Sequence, residues 1–402
     1  MTEITHFGAV VLVVSGGLVL GILSNRLGDR IPVPAPAVFL LGAAVASDLW
    51  PSLYDAVPIR TVERIAVVAL VVILFDGGMG IGWSRFRQAA WPILSLGILG
   101  TFATAGIVTL VAHWVLGFDW TLAGLVGAAL APTDPAVMFS VLRGSDIEGR
   151  SGTTLEGEAG VNDPAGIALM VGMIELATHG DASFLVVVRE FAVEMGVGAA
   201  MGLAGAAVAV PLLRRVHLPE RALYPVFALL LAASLYGATS LARGSGFLAV
   251  FVTGLVLGEG RFPAAREIQG FHTSLATLAE VVVFGALGLT VRIGELDARI
   301  WLEGLVLALA LAIFIRPVVV AVVLARARLS RGERTFIAWT GLKGAVPILL
   351  AAFAILGGAS GAEHVYGVVF VVVLVSVVGQ GTCVPFVARR LRIPMSPVAH
   401  RA

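Results

Sequence analysis

The chain has one lysine among 27 basic residues, one cysteine, and charge at only 13% of its 402 positions. Each scarcity excludes something. Water-soluble domains carry about 25% charged residues. A chain this poor in charge, 58% hydrophobic and with a mean hydropathy of +0.97, is not a soluble enzyme. The lone Cys383 excludes an internal disulfide and reads as a small apolar packing residue. The net charge is +1 with no basic patch, so nucleic acid is not an expected partner. The histidines (His6, His113, His179, His217, His272, His364, His400) are scattered toward span ends without metal-ligand spacing, which argues against a membrane-embedded enzyme. Neither a catalytic residue nor a cofactor is expected. No long polar linker interrupts the chain, so residues 1–402 are expected to form one transmembrane domain with no appended soluble domain.

Repeated apolar runs of about 20 residues read as transmembrane helices. The alternating segments of about ten residues that mark an outer-membrane barrel are absent. The fold class is therefore an all-α polytopic membrane protein. Thirteen spans are expected, at 7–25, 33–47, 62–81, 89–113, 120–141, 153–178, 184–213, 221–241, 245–259, 272–291, 300–325, 333–357 and 364–388. The first follows Glu3 and His6 rather than a basic stretch, so it reads as a retained helix, not a cleaved signal.

Arginines set the expected orientation, because positive residues are retained on the cytoplasmic side. Arg60, Arg64, Arg189, Arg243, Arg292 and Arg299 lie in loops after even-numbered spans or in the first turns that follow those loops. Arg316 and Lys343 lie deep inside spans, and every other arginine lies in, or within two residues of, a loop after an odd-numbered span. The N-terminus is thus expected outside and the C-terminus in the cytoplasm, in the cell (inner) membrane.

Two spans carry helix-breaking chemistry at mid-membrane depth. In APTDPAV, Pro132 and Pro135 flank Thr133 and Asp134, and strand the carbonyls of Ala128 and Ala131. In GLKGAVP, Gly341, Gly344 and Pro347 surround Lys343, whose own carbonyl is stranded. Paired interrupted helices in corresponding positions of two halves point to a transporter built from inverted repeats. Carbonyls freed there can coordinate a cation where they line a cavity.

Span six adds LEGEAGVNDPAGIALM, with Glu156, Glu158, Asn162 and Asp163 in the middle of a membrane helix. Intramembrane ionisable residues are rare, and usually face a polar interior. Glu158 and Asn162, four apart, share a helix face. Pro164 frees the Gly160 carbonyl. In span three, Asp76 is another acid, followed by glycines that permit close helix approach. A buried ammonium needs an anionic partner. The expected partner of Lys343 is Glu158.

These residues resemble the monovalent cation/proton antiporter family that includes NhaP-type and eukaryotic sodium/proton exchangers. The resemblance is carried over essentially the whole chain by LFDGGM (74–79), APTDPAV (131–137), GEAGVNDPAG (157–166), SGFLAVFVTGLVLG (245–258), IRPVVV (315–320) and GLKGAVPILLA (341–351). The last of these, with FDGGM and VVVLVSVVGQGT, is most similar to the bacterial potassium/proton antiporter branch called cell volume regulation protein A. The resemblance implies a thirteen-helix homodimer in the lipid bilayer, with a dimerisation part and a mobile core that contains the two broken helices, spans five and twelve, crossed. It makes Asp163 the carrier of cation and proton, with Asn162, Thr133 and Asp134 shaping the site and Asp76 facing it. An alkali cation would be held by Asp163 and Thr133, beside a supporting Glu158–Lys343 ion pair. Many relatives have arginine in place of Lys343 and serine in place of Ala159. The branch often carries a cytoplasmic regulatory domain, for which residues 1–402 offer no segment.

Exchange requires a carboxylate that cannot hold a proton and a metal ion together, and oxygen ligands suit hard alkali cations. The expected activity is exchange of K+ or Na+ for H+ by alternating access, with a role in pH homeostasis. A single carrier charge suggests one cation per proton. A channel would need repeated symmetric filter elements, which are absent. The stronger rival is a sodium- or proton-coupled organic-anion symporter on a similar scaffold, since half-helix N-termini can hold carboxylates. The excess of acids (Asp76, Asp134, Glu156, Glu158, Asp163) over Lys343 stands against it.

Overall fold

The computed structural model describes residues 34–142, 145–147, 149–178, 184–260 and 262–397, with Gly16 and Val19. Apart from those two positions, the expected span 7–25 lies outside the described residues. So do Arg26, Arg30, Arg143, Arg261, Arg401, His6, His179 and His400. Each later span coincides with a helix or a pair of half-helices, with ends shifted by a few residues. Among the described residues, seven helices are long and apolar enough to cross a membrane: Ile59–Ile81, Ala90–Trp114, Leu185–Arg215, Leu223–Leu241, Ala265–Glu295, Ala298–Val323 and Ala362–Arg390. Gly149–Thr178 has the length without that composition. Cys383 is exposed on the last helix rather than packed inside, a correction to its expected role.

The short helices begin at built caps. Asp119 accepts from the amides of Thr121 and Leu122 to start Trp120–Ala129, and Ser245 accepts from Leu248 to start Gly246–Leu257. Ser330 and Glu333 form a capping box at the start of Arg331–Trp339. Such caps satisfy amides that have no intrahelical partner. Among the described residues, the one strand pairing is a ladder three residues long, Ser145–Ile147 antiparallel to Met395–Pro397.

Two groups of helices can be distinguished by packing. The flanking group contains Ala35–Leu49, Ile59–Ile81, Phe184–Arg215, Leu223–Leu241, Gly246–Leu257 and Ala265–Leu289. The central group contains both broken spans with Ala90–Trp114, Gly149–Thr178, Ala298–Val323 and Ala362–Arg390. Three central helices each contain a π-helical turn, at Ser95–Gly100, Ala310–Ile315 and Val375–Gln380. These wider turns re-aim the residues that follow, and such bulges often occur at functional sites. Nothing in the apolar pattern announces them.

In the flanking group, Ile59–Ile81 and Gly246–Leu257 meet backbone to backbone. A methyl on Gly78 would lie 2.4 Å from the Phe251 carbonyl oxygen, and one on Gly254 would lie 2.5 Å from that of Phe75. Gly77, its neighbour in the sequence, faces open space. Close approach of this kind replaces the hydrophobic drive that membrane helices lack. Gly78→Ala should therefore lower the thermal unfolding midpoint in detergent, at a cost of about 1–3 kcal/mol for overpacking. Gly77→Ala should leave it unchanged. Equal midpoints for the two variants would refute the close-packed seam.

Candidate functional site

The first broken span runs from Trp120–Ala129 to Pro135–Leu142, and the second from Arg331–Trp339 to Ala345–Leu356. Their extended segments cross and bond to each other. The Asp134 amide donates to the Leu342 carbonyl at 2.8 Å. The Asp134 carboxylate accepts from the Ala136 amide at 2.9 Å and also from the amides of Val137 and Ala345. One carboxylate thus serves the N-terminal ends of both half-helices, where orphan amides and the helix dipole favour negative charge. Position 344 has to be glycine for this approach, since a methyl there would lie 1.9 Å from Asp134 Oδ2.

Lys343 serves the opposite pole. Its Nζ donates to the carbonyls of Ala131 at 3.1 Å and Pro132 at 2.8 Å, and its amide donates to Ser376 Oγ at 2.9 Å. The ammonium thus meets carbonyls past the C-terminal end of Trp120–Ala129, where a helix favours a cation. The expected freeing of these carbonyls for cargo is corrected accordingly: Lys343 occupies that of Ala131, while the amides of Leu130 and Ala131 take that of Ala128. A compact ammonium with three rotatable donors suits two divergent carbonyls, a task that does not call for arginine's planar fork. Gln380 donates to the Trp339 carbonyl at the end of the other half-helix. Ser376 and Gln380 both lie in the π-helical turn Val375–Gln380.

The expected Glu158–Lys343 ion pair is corrected. Glu158 is bound by Arg316, whose two terminal nitrogens each donate to one carboxylate oxygen at 2.7 Å. Both residues are buried, and the pairing is the fork-on-carboxylate geometry that only arginine provides. Thr133 Oγ1 donates to Glu158 Oε1 at 3.3 Å, and Asn162 Nδ2 donates to Thr133 Oγ1 at 2.8 Å. Arg316, Glu158, Thr133 and Asn162 therefore form one chain that joins Ala298–Val323, Gly149–Thr178 and the first break.

Asp163 stands apart from that chain. It is 6% exposed, and its Oδ1 has no hydrogen-bond partner among the described residues, nor does Asn162 Oδ1. It lines a cavity of about 40 Å³ with Asp134, Ala345 and Val346 on the central side, and Ala66, Leu70, Ile73, Glu280 and Phe284 on the flanking side. The structure thus brings Asp163 and Asp134 to one cavity, and links Thr133, Asn162 and Glu158 beside it. Asp76 is not among the cavity residues; it accepts from Thr273 Oγ1 at 2.9 Å, about one turn beyond Ile73. Glu156 is also not central. Its helix begins at Gly149, so it lies near the edge, where Arg85 meets it at 3.5 Å.

Sequence reasoning missed two residues. Arg316 carried a signal, since it and Lys343 are the two basic residues that lie deep inside a span rather than near its end. Choosing between them needed the crossing geometry, which commits Lys343 to carbonyls. Glu280 also carried one, as an acid inside span 272–291, but no helix break or companion motif drew attention to it.

Two broken helices crossing beside a buried, unpaired carboxylate form the architecture of a secondary transporter. The chain belongs to the sodium/hydrogen exchanger family, whose transmembrane family model matches residues 10–390. It is 37% identical over 393 residues to the K(+)/H(+) antiporter NhaP of Alkalimonas amylolytica, covering 95% of this chain and 67% of that protein. It is 34% identical over 385 residues to the K(+)/H(+) antiporter NhaP2 of Shewanella sp. (strain ANA-3), covering 94% of this chain and 66% of that protein. The chain therefore spans about two thirds of the length of these curated relatives. Its fold matches the solved structure of the sodium proton antiporter MjNhaP1 from Methanocaldococcus jannaschii with a TM-score of 0.79 at 22% identity, covering 97% of this chain and 99% of that one.

The revised pairing yields a test. Arg316→Ala should destabilise the protein by roughly 3–5 kcal/mol, because it leaves Glu158 buried and uncompensated. Adding Glu158→Gln should restore much of that loss. The same Glu158→Gln change should not rescue Lys343→Ala, which instead strands two carbonyls. Thermal unfolding of the singles and doubles decides the matter: rescue of Lys343→Ala, without rescue of Arg316→Ala, would return the pair to Lys343.

Proposed function

We propose that this protein exchanges a monovalent alkali cation, K+ or Na+, for H+ across the membrane by alternating access. The observation that carries the proposal is Asp163: buried, unpartnered at Oδ1, and facing a cavity between the two helix groups. A charge without water must be neutralised, and a carboxylate can take a proton or a cation but not both. The names of the relatives, K(+)/H(+) antiporters, agree with this chemistry. In the cycle, Asp163 takes a proton on one side, crosses as the central group moves against the flanking group, and exchanges it for a cation. Thr133, Asn162 and Asp134 shape the site. Ala159 offers no hydroxyl, so the choice of cation rests on the remaining oxygens.

Charge accounting supports a single carrier. Asp134, Glu158 and Asp163 are opposed by Arg316 and Lys343 in the buried centre of the moving group, which leaves one negative charge for a cation or proton to cancel. One cation per proton follows. An organic-anion symporter would use half-helix N-termini to hold its substrate. Here Asp134 already occupies both, so that rival has no anion site left. The same proposal places the chain as a homodimer in the cell (inner) membrane with the N-terminus outside and the C-terminus cytoplasmic, following the arginine asymmetry.

Asp163→Asn should abolish cation-dependent proton movement in everted vesicles while leaving insertion and thermal stability intact. Dye-monitored titrations with sodium, potassium and lithium at several pH values check this and rank the cations. Exchange by a well-folded Asp163→Asn variant would remove the single-carrier mechanism. In proteoliposomes, an imposed membrane potential should leave the initial rate unchanged. A reproducible voltage dependence would require a second moving charge.

A further inference from the structure

We propose that Glu280 is a cation ligand, supplied to the Asp163 site from the flanking side of the cavity; this rests on the exchange function proposed above. Glu280 lies in Ala265–Leu289, a helix of the flanking group, and lines the same cavity as Asp163 and Asp134. Its Oε1 is buried and has no hydrogen-bond partner among the described residues, as is the case for Asp163 Oδ1. Its cavity neighbours on its own side are Val283, Phe284, Ala66, Leu70 and Ile73, none of which can donate a hydrogen bond from its side chain.

A carboxylate without a partner against apolar neighbours costs stability, and inside a membrane such a residue marks an ion pathway by default. Glu158 shows how this fold treats an acid kept for structure: a guanidinium and a hydroxyl saturate it. Asp134 is saturated by amides. Glu280 receives neither treatment. Two acids with bare oxygens on opposite sides of one small cavity form a pair of oxygen donors for a hard monovalent cation, whose charge offsets one of their two.

The flanking helix extends the feature. Glu280, Thr277 and Thr273 recur at helical spacing along Ala265–Leu289, and Thr273 donates to Asp76 on Ile59–Ile81. Seven residues of helix span about 10 Å. Oxygen atoms therefore continue from the cavity toward the helix ends near Ile81 and Ala265, which the arginine asymmetry places on the cytoplasmic side. Because Glu280 belongs to the flanking group, it does not travel with Asp163. It can share the cation only while the central group presents Asp163 to this cavity. Asp163 is thus the carrier, and Glu280 is a docking carboxylate that raises cation affinity in this state without adding to the moving charge.

The test compares wild type with Glu280→Gln, and with Glu280→Leu as a second variant that matches the apolar seam. Initial exchange rates are measured in everted vesicles against potassium, sodium and lithium concentration at fixed pH. Both variants should raise the cation KM by at least about tenfold, as expected for loss of a nearby unit charge, with the maximal rate kept within about twofold. Neither should lower the thermal unfolding midpoint, since each removes an uncompensated charge. An unchanged KM in a folded variant overturns the proposal, as does a lost maximal rate at unchanged KM. A wild type that exchanges no cation would defeat the functional proposal alone. The purified protein then decides the ligand, because cations that bind it raise its unfolding midpoint. Loss of that stabilisation in Glu280→Gln supports the docking role, and its persistence refutes it.

Discussion

Everything at the centre of this protein depends on one constraint: backbone groups released by a broken helix cannot stay unsatisfied where there is no water. The fold meets it by crossing two breaks so that each supplies what the other lacks. Asp134 gives negative charge to two helix beginnings, Lys343 gives positive charge to the carbonyls beyond a helix end, and Asp134 N–H bonds directly to the Leu342 carbonyl. The crossing needs Gly344, because no side chain fits between it and Asp134. These charges are thereby committed to the backbone, whereas Asp163 keeps a bare oxygen.

That division orders the remaining acids. Glu158 holds the first break in place through Thr133 and is itself held by Arg316, so its charge is structural. Glu156 is tied to Arg85 near the membrane edge, and Asp76 to Thr273. Asp163 is left with a bare oxygen in the seam between the two helix groups, where motion of one against the other would expose it to alternate sides. The π-helical turns belong to the same design. Arg316 directly follows one, and Ser376 and Gln380 lie in another, so both backing helices are re-aimed where they must reach the breaks.

Much of this was legible in the chain. Apolar runs of membrane length located the helices from residue 33 onward, because a span must satisfy its own backbone and hide it from lipid. Proline and glycine at APTDPAV and GLKGAVP marked the breaks, since their effect on the backbone is local and needs no partner. Three carboxyls and an asparagine between residues 156 and 163 marked the polar centre, because burying them in lipid has no other explanation.

What the chain could not decide was which charge answers which. Lys343 and Arg316 are both basic and both inside spans, and either could have matched Glu158. The choice depends on the register of the crossing, which puts the ammonium within reach of Ala131 and Pro132 and leaves the guanidinium fork facing Glu158. For the same reason Glu280, and not Asp76, lines the cavity with Asp163. A residue's place in a conspicuous motif is local information, whereas the cavity it lines is fixed by helices distant in sequence. Local chemistry, such as span, break and buried acid, was determined by the sequence alone. Partnership, such as ion pair, cavity wall and bare oxygen, was decided by tertiary packing, because electrostatic pairing depends on distances that no spacing along one helix contains.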